Sequence, residues 1–370
     1  MTLTGFVLLY IAATIAIGVI AATRVKNTSD FALAGRSLPL PMVITATFAT
    51  WFGSETILGL PGRFIESGIA GVIEEPFGSG MALILVGTFF AHKLYKQNIL
   101  TLGDYYRDRY GRSVELLCSV AIVISYLGWV GAQVTALGLV INLITEGAVS
   151  MTTGMVIGAA VVLAYTMVGG MWSVAMTDFV QMIVIVVGLV AILWFATDLA
   201  GGMDKVVDYA RGRDLFHAFP EPTTTGWLFW ISAAMTMMIG SIPQQDVFQR
   251  VMSAKNLPTA VAGPILGGSF YILFAFVPMF IVVAAILVMP DAAEKMLSED
   301  PQQLLPTLVR DYMPMWLRVV FFGAVLSAVM STASATMLAP STIFVENVLR
   351  HFMKIDDRNK IGRASCRERV

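Results

Sequence analysis

Apolar runs separated by short polar stretches recur along almost the whole 370-residue chain. Each is about as long as a helix that crosses a bilayer, roughly 17–25 residues. The pattern predicts nine spans, at about 3–23, 39–59, 70–91, 114–143, 151–168, 176–198, 226–248, 259–289 and 316–345. An all-α polytopic membrane protein is therefore expected, with residues 1–360 forming one domain. The first run has no basic residues ahead of it and no small-residue cleavage site behind it, so it reads as a retained span rather than a signal peptide. Of the connections, 199–225 and 290–315 are long and mixed in charge, and 92–113 is long and basic.

Two spans are interrupted. In "ATWFGSETILGLPG", residues 49–62, Gly53, Ser54, Glu55 and Thr56 stand in the middle of apolar sequence, and "MMIGSIPQQDVFQR", residues 237–250, places Gly240, Ser241 and Pro243 inside the seventh run. Proline removes an amide donor and clashes with the preceding turn. Glycine accepts the backbone angles of an unwound segment. Carbonyls freed at membrane depth survive only beside a cavity or a bound ion. A single break reads most simply as a kink or packing notch. A matched pair, one in each of two units of opposite orientation, points to a transporter's central site. In the ninth run Ala328, Ser331 and Thr332 stand at i, i+3 and i+4 on one helix face. One carbonyl and two hydroxyls suit a hard cation; the competing reading has the hydroxyls bonded back to i−4 carbonyls.

Composition strengthens the membrane reading. The chain is 57% hydrophobic and 13% charged with a mean hydropathy of +0.76, whereas about a quarter of a soluble domain is charged. Loops on one side hold fourteen Lys and Arg and those on the other seven, which places the N-terminus outside a bacterial inner, or plasma, membrane. Cys118 and Cys366 offer no disulfide or thiolate framework. The net charge of −1 gives no sign of nucleic acid or of an obligatory protein partner. The three histidines, His92, His217 and His351, fall in expected loops without a nucleophile, metal or phosphate-binding constellation, which argues against an enzyme. The ending "IGRASCRERV", residues 361–370, leaves the membrane pattern and reads as translated adapter or vector sequence.

Six stretches together resemble the sodium:solute symporter family, and most of all its choline-transporter-like branch: "LAGRSLPLP", "FATWFGSETILGLPG", "TLGDYYRDRYG", "YTMVGGMWSVAMTDFVQ", "QQDVFQRVMSAKN" and "AVMSTASATMLAPSTIFVEN". They cover residues 30 to about 348. The resemblance implies a leucine-transporter-like fold of two inverted five-helix repeats behind one extra helix. The first repeat would span about 39–198, and an incomplete second about 226–348. Relatives carry two more helices in the second repeat, so a fragment is expected. The implied activity is sodium-coupled import of a small polar organic solute; a transporter-like sensory membrane domain is the other reading. The implied coupling-ion site joins the carbonyls of Ala49, Phe52 and Ala328 to the hydroxyls of Ser331 and Thr332. Asp178 matches an acidic position associated with sodium passage, or it caps its helix.

For the solute, the joints Gly53, Ser54, Gly240 and Ser241 supply exposed backbone, and Gln244 and Gln245 supply amides. An ionisable group at the depth of Glu55 is expensive. It either binds a cationic group of the solute or sits hydrated in an entrance vestibule. Trp51 and Trp129 align with two members of an aromatic cage for quaternary ammonium, a geometry that gains about 0.5–2 kcal/mol per ring, or they serve as packing and interfacial anchors. Two other cage positions are Ser79 and Gln244, so half of the cage is missing. Asp246 and Arg250, four apart, read as an ordinary helix ion pair.

Overall fold

A computed structural model describes residues 3–353; the 361–370 tail, Cys366, Lys354, Arg358 and Lys360 lie outside the described residues. Among the described residues the regular structure is helical, with turns between the helices and one isolated bridge between Leu38 and Ala254. Six helices are long and apolar enough to cross a membrane: Leu3–Ala22, Ile69–Gln97, Arg112–Ile144, Met151–Leu199, Leu257–Val288 and Met315–Leu349. Thr224–Gly240 and Gln245–Ser253 form a further pair bent by 45°. The chain is an integral membrane protein.

The fifth and sixth apolar runs lie in the single 49-residue element Met151–Leu199. At about 1.5 Å per residue that is more than twice a 30 Å hydrocarbon core. The element is divided at Gly170, where the backbone turns to φ 50, ψ −138. The second run is also divided: Leu40–Trp51 stops at Phe52, and the chain resumes through a π-helical turn, Glu55–Gly59, into Leu60–Ser67.

Met315–Leu349 is the central helix. In its apolar window 83% is buried, against 17% for Arg112–Ile144, which faces outward. Its sequence explains the position. Small residues from Ala324 to Ala339 let neighbouring backbones approach closely, the usual basis of helix contact without a hydrophobic drive.

The two broken spans run in opposite directions. The Leu38 N–H donates to Ser253 O at 2.9 Å, and the Lys255 N–H donates to Leu38 O at 2.9 Å. The start of Leu40–Trp51 therefore lies at the same end of the bundle as the finish of Gln245–Ser253. The Tyr95 hydroxyl, bonded to Ala254 O at 2.8 Å, and Arg36, bonded to Tyr95 O at 2.8 Å, fasten that end. At the other end Ile69 and Ala70 donate to Leu215 O and His217 O, both at 2.9 Å, tying the 199–223 segment to the turn between the second and third runs.

Three expectations change. The third run holds a break of its own: Glu75 is extended (φ −137, ψ 122) within Ile73–Gly78, next to Pro76. A hydropathy window does not register one extended residue. The 92–113 connection is largely helical, as Ala91–Gln97 and Leu102–Tyr110, the latter started by a Thr101–Asp104 capping box. His92 therefore lies on a helix, as does His351. The short helix is latched to the core: the Leu102 N–H donates to Gln245 Oε1 at 3.0 Å, Thr101 to Asn347 Oδ1 at 2.7 Å, and Asn347 to Glu115 at 2.8 Å.

A side chain at residue 170 would have to adopt positive φ and place its Cβ 2.3 Å from the Phe31 carbonyl oxygen. Gly170→Ala is expected to lower stability by roughly 1–3 kcal/mol. A thermal unfolding midpoint in detergent equal to the parent's would refute this account of the division.

Candidate functional site

The site is built from the break after Trp51. Phe52 leaves the helix at φ −78, ψ 73. The Trp51 carbonyl, denied its helical partner, accepts instead from the Gly53 N–H at 2.9 Å, with the Thr56 oxygen 3.3 Å away. Gly53 is pressed against the central helix, since a Cβ there would lie 2.7 Å from Thr332 Oγ1. That approach brings the Ala49 carbonyl within 3.1 Å of Ser331 Oγ and 3.3 Å of Thr332 Oγ1. Phe52 and Ala328 are fully buried beside them.

Asp178 joins the same cluster. Its Oδ1 lies 2.5 Å from Ser331 Oγ, and its Oδ2 has no partner among the described residues. It stands eight positions beyond the Gly170 division, inside the helix, so the capping role is excluded. Acceptors outnumber donors here. Ser331 has one hydroxyl hydrogen for two acceptors, the Ala49 carbonyl and Asp178, and the second Asp178 oxygen takes none. A surplus of buried oxygens is what a hard cation takes up, so this donor set fits sodium.

The second break contributes differently. Gln244 is extended (φ −82, ψ 137) and starts Gln245–Ser253. Asp246, in the first turn, is fully buried; its carboxylate accepts from Trp51 Nε1 at 3.1 Å and from the Tyr126 hydroxyl. Tyr126 in turn stacks on Trp129, with centroids 6.0 Å apart and an interplanar angle of 30°. Trp51 is thus bonded to the Asp246 carboxylate directly, and Trp129 is joined to it only through Tyr126. This corrects the expected Asp246–Arg250 ion pair. Both residues are buried, and Arg250 Nη1 reaches the Asp246 backbone oxygen at 3.1 Å while the aromatic donors hold the carboxylate. Ser241 is buried, with the Gln244 amide 3.5 Å from its hydroxyl. Gly240 is exposed, with nothing within 4 Å of the place a Cβ would take, and Gln245 is committed to Leu102, so neither is brought to Trp51. Ser79 is buried and leans 3.4 Å from Glu74 O.

On the other side of the break a cavity of about 590 Å³ is lined by Ser54, Glu55, Arg63, Glu75, Glu299 and Asp300, among others. The amide nitrogen of Gln133 lies 3.1 Å from both Glu55 oxygens, and Ser54 Oγ is 3.5 Å from Gln133 Oε1. Glu55 therefore faces a cavity and has a buried amide that orients it. Glu75 Oε1 accepts from Thr56 at 2.5 Å and Tyr271 at 2.6 Å. Glu75, Tyr271, Gln133, Tyr126 and the role of Asp246 escaped the sequence reading. An ionisable residue within an apolar run was the available signal for Glu75.

Comparison with known proteins gives the family and the fold. The model of the sodium:solute symporter family matches residues 31–365. The high-affinity choline transporter 1 of Homo sapiens is 29% identical over 353 residues, covering 90% of this chain and 59% of that protein. The sodium/proline symporter of Haemophilus influenzae is 26% identical over 372 residues, covering 94% and 70%. The chain thus spans less than two thirds of the length of the choline transporter it matches. Among solved structures, a substrate-bound, outward-open Na+-coupled sialic acid symporter superposes with a TM-score of 0.83 at 18% identity, covering 96% of this chain and 75% of that one. The fold is shared with that structure.

The approach at Gly53 yields a paired prediction. Gly53→Ala drives a methyl into Thr332, whereas at Gly59, on the π-helical turn, nothing lies within 4 Å. Gly53→Ala is expected to cost roughly 1–3 kcal/mol and Gly59→Ala less than about 1 kcal/mol. Unfolding midpoints that shift equally for the two variants would remove the close approach as a constraint.

Proposed function

The chain belongs to the sodium:solute symporter family, and from that premise we propose that it serves as a sodium-coupled secondary transporter rather than an enzyme, importing a small polar organic solute by alternating access. The observation that carries this reading is the surplus of acceptor oxygens where the first broken span meets the central helix. In it sodium is held by the carbonyls of Ala49, Phe52 and Ala328 and the hydroxyls of Ser331 and Thr332, with Asp178 on the ion's path. The solute occupies the space between the two joints, with Trp51, Trp129, Ser54 and Glu55 toward it. Residues 39–198 and 226–348 act as inverted repeats, which the opposed run of the two broken spans supports. The N-terminus lies outside a bacterial plasma membrane, on the strength of the basic-residue bias.

Coupling has a physical route. Sodium bound to the Ala49 carbonyl fixes the joint whose other side, Ser54 and Glu55, lines the solute cavity. Each ligand then raises the other's affinity by the same factor. A tenfold sodium gradient contributes about 1.4 kcal/mol, and one charge crossing 100 mV about 2.3 kcal/mol. Together they support accumulation of a neutral solute by roughly several hundredfold.

The test is uptake of labelled choline, proline, pantothenate and short carboxylates into proteoliposomes holding the product of the full reading frame, with and without an inward sodium gradient. Removing both hydroxyls, Ser331→Ala with Thr332→Ala, is expected to lower sodium-driven uptake by roughly a hundredfold, as loss of two ion ligands worth about 1.5 kcal/mol each implies. Uptake indifferent to sodium, or a double variant as active as the parent, rejects the ion site.

A further inference from the structure

We infer that the cavity beside the first break selects solutes carrying a protonated amine or guanidinium with N–H donors, and that Glu75 sets this specificity together with Glu55. The inference rests on the transport reading above and names its solute class.

Three observations converge on it. The cavity wall carries five carboxylates, on Glu55, Glu66, Glu75, Glu299 and Asp300, against the single guanidinium of Arg63. Arg63 is 64% exposed and pairs with Glu74 at 3.9 Å, so its one positive charge offsets only part of the negative charge of this wall. Negative charge within low-dielectric walls concentrates cations and disfavours anions.

The two deeper carboxylates are oriented differently from the three near the mouth. Thr56 and Tyr271 hold Glu75 Oε1 at 2.5 and 2.6 Å, so this oxygen is fixed in place and the carboxylate is presented at the cavity wall. A carboxylate largely removed from water is costly unless a partner arrives. Glu55 is held by one amide nitrogen shared by its two oxygens and also by the Trp129 indole, which still leaves the carboxylate with acceptor capacity. Thr56 adjoins Glu55 and bonds Glu75, so the two carboxylates flank one stretch of cavity. An N–H cation satisfies both by charge-assisted hydrogen bonds, which are the stronger kind.

A quaternary ammonium offers no N–H and relies on aromatic faces. Here Trp51 is turned to Asp246 and Trp129 is stacked on Tyr126, while a serine and a glutamine stand at the two other cage positions. Sodium has its own oxygens on the opposite side of the joint, at Ala49, Ser331 and Thr332.

The experiment measures ligand-induced thermal stabilisation and sodium-driven uptake for the full-length protein. The probes are putrescine, agmatine and lysine as N–H cations, choline as a quaternary cation, proline as a zwitterion, acetate as an anion, and sodium alone. The expected result is that one or more N–H cations bind, and that Glu75→Gln weakens binding roughly ten- to hundredfold, as loss of one charge-assisted hydrogen bond implies. Glu55→Gln and Glu75→Asp guard against a variant that fails to fold; should all three unfold, the ranking of probes on the parent decides.

Choline binding as well as the N–H cations, or acetate or proline driven by sodium in their place, overturns the inference and leaves symport standing. Stabilisation by sodium alone that vanishes in Glu75→Gln makes the cavity a metal site and also overturns it. Glu75-dependent cation binding with no response of uptake to sodium upholds the inference and sinks the coupling.

Discussion

A helix that stops halfway across a bilayer leaves carbonyl and amide groups where no water can reach them, and the architecture around residues 51–54 is organised by that requirement. The Trp51 carbonyl is answered by Gly53, and the Ala49 carbonyl by two hydroxyls of the central helix. Those hydroxyls reach it because residue 53 has no side chain and because the facing helix is rich in small residues. The break is therefore a junction: backbone of one span, hydroxyls of another and the carboxylate of a third, Asp178, meet at one point. Moving any of the three disturbs the other two.

The opposite side of the same junction is where the chemistry becomes individual. The oxygens around Ala49 are a carbonyl, two hydroxyls and the single carboxylate of Asp178, whereas the wall beyond Ser54 carries several carboxylates and is open. Two ligands of different kind can thus sit on either side of one short unwound segment and sense each other through its backbone. The third break, at Glu75, brings a carboxylate to this wall from a span that contributes nothing to the cluster around Ala49. Sequence changes in 70–80 can then alter the acidic wall while the surroundings of Ala49 stay as they are.

Much of this was legible beforehand, for identifiable reasons. Apolar run length follows directly from bilayer thickness, so the all-helical membrane character and the two breaks at Gly53 and Gly240–Pro243 were readable, and the i, i+3, i+4 spacing put Ser331 and Thr332 on one face; the nine expected spans stand against six long apolar helices and one bent pair among the described residues. What could not be read was direction. Asp246 and Arg250 have the spacing of a surface ion pair, but their helix is buried all round, so the carboxylate turned to Trp51 and Tyr126. Gln245 sits in the same polar cluster as Gln244 yet reaches the Leu102 backbone, a contact between residues 143 apart in the chain. Asp178 had the look of a helix boundary because the division at Gly170 is followed by uninterrupted helix that hydropathy places further on. Tertiary partners, rather than local pattern, decided each of these.

The indole of Trp51 comes from the first joint and the carboxylate of Asp246 from just beyond the second. Replacing the tryptophan alone strands half of a buried negative charge, a loss that breaking a buried polar pair makes severe. Replacing the aspartate alone leaves an indole N–H and a phenol without an acceptor. Change at this position therefore runs through simultaneous or permissively ordered substitutions in two distant parts of the gene, and leaves its trace as epistasis between the two broken spans.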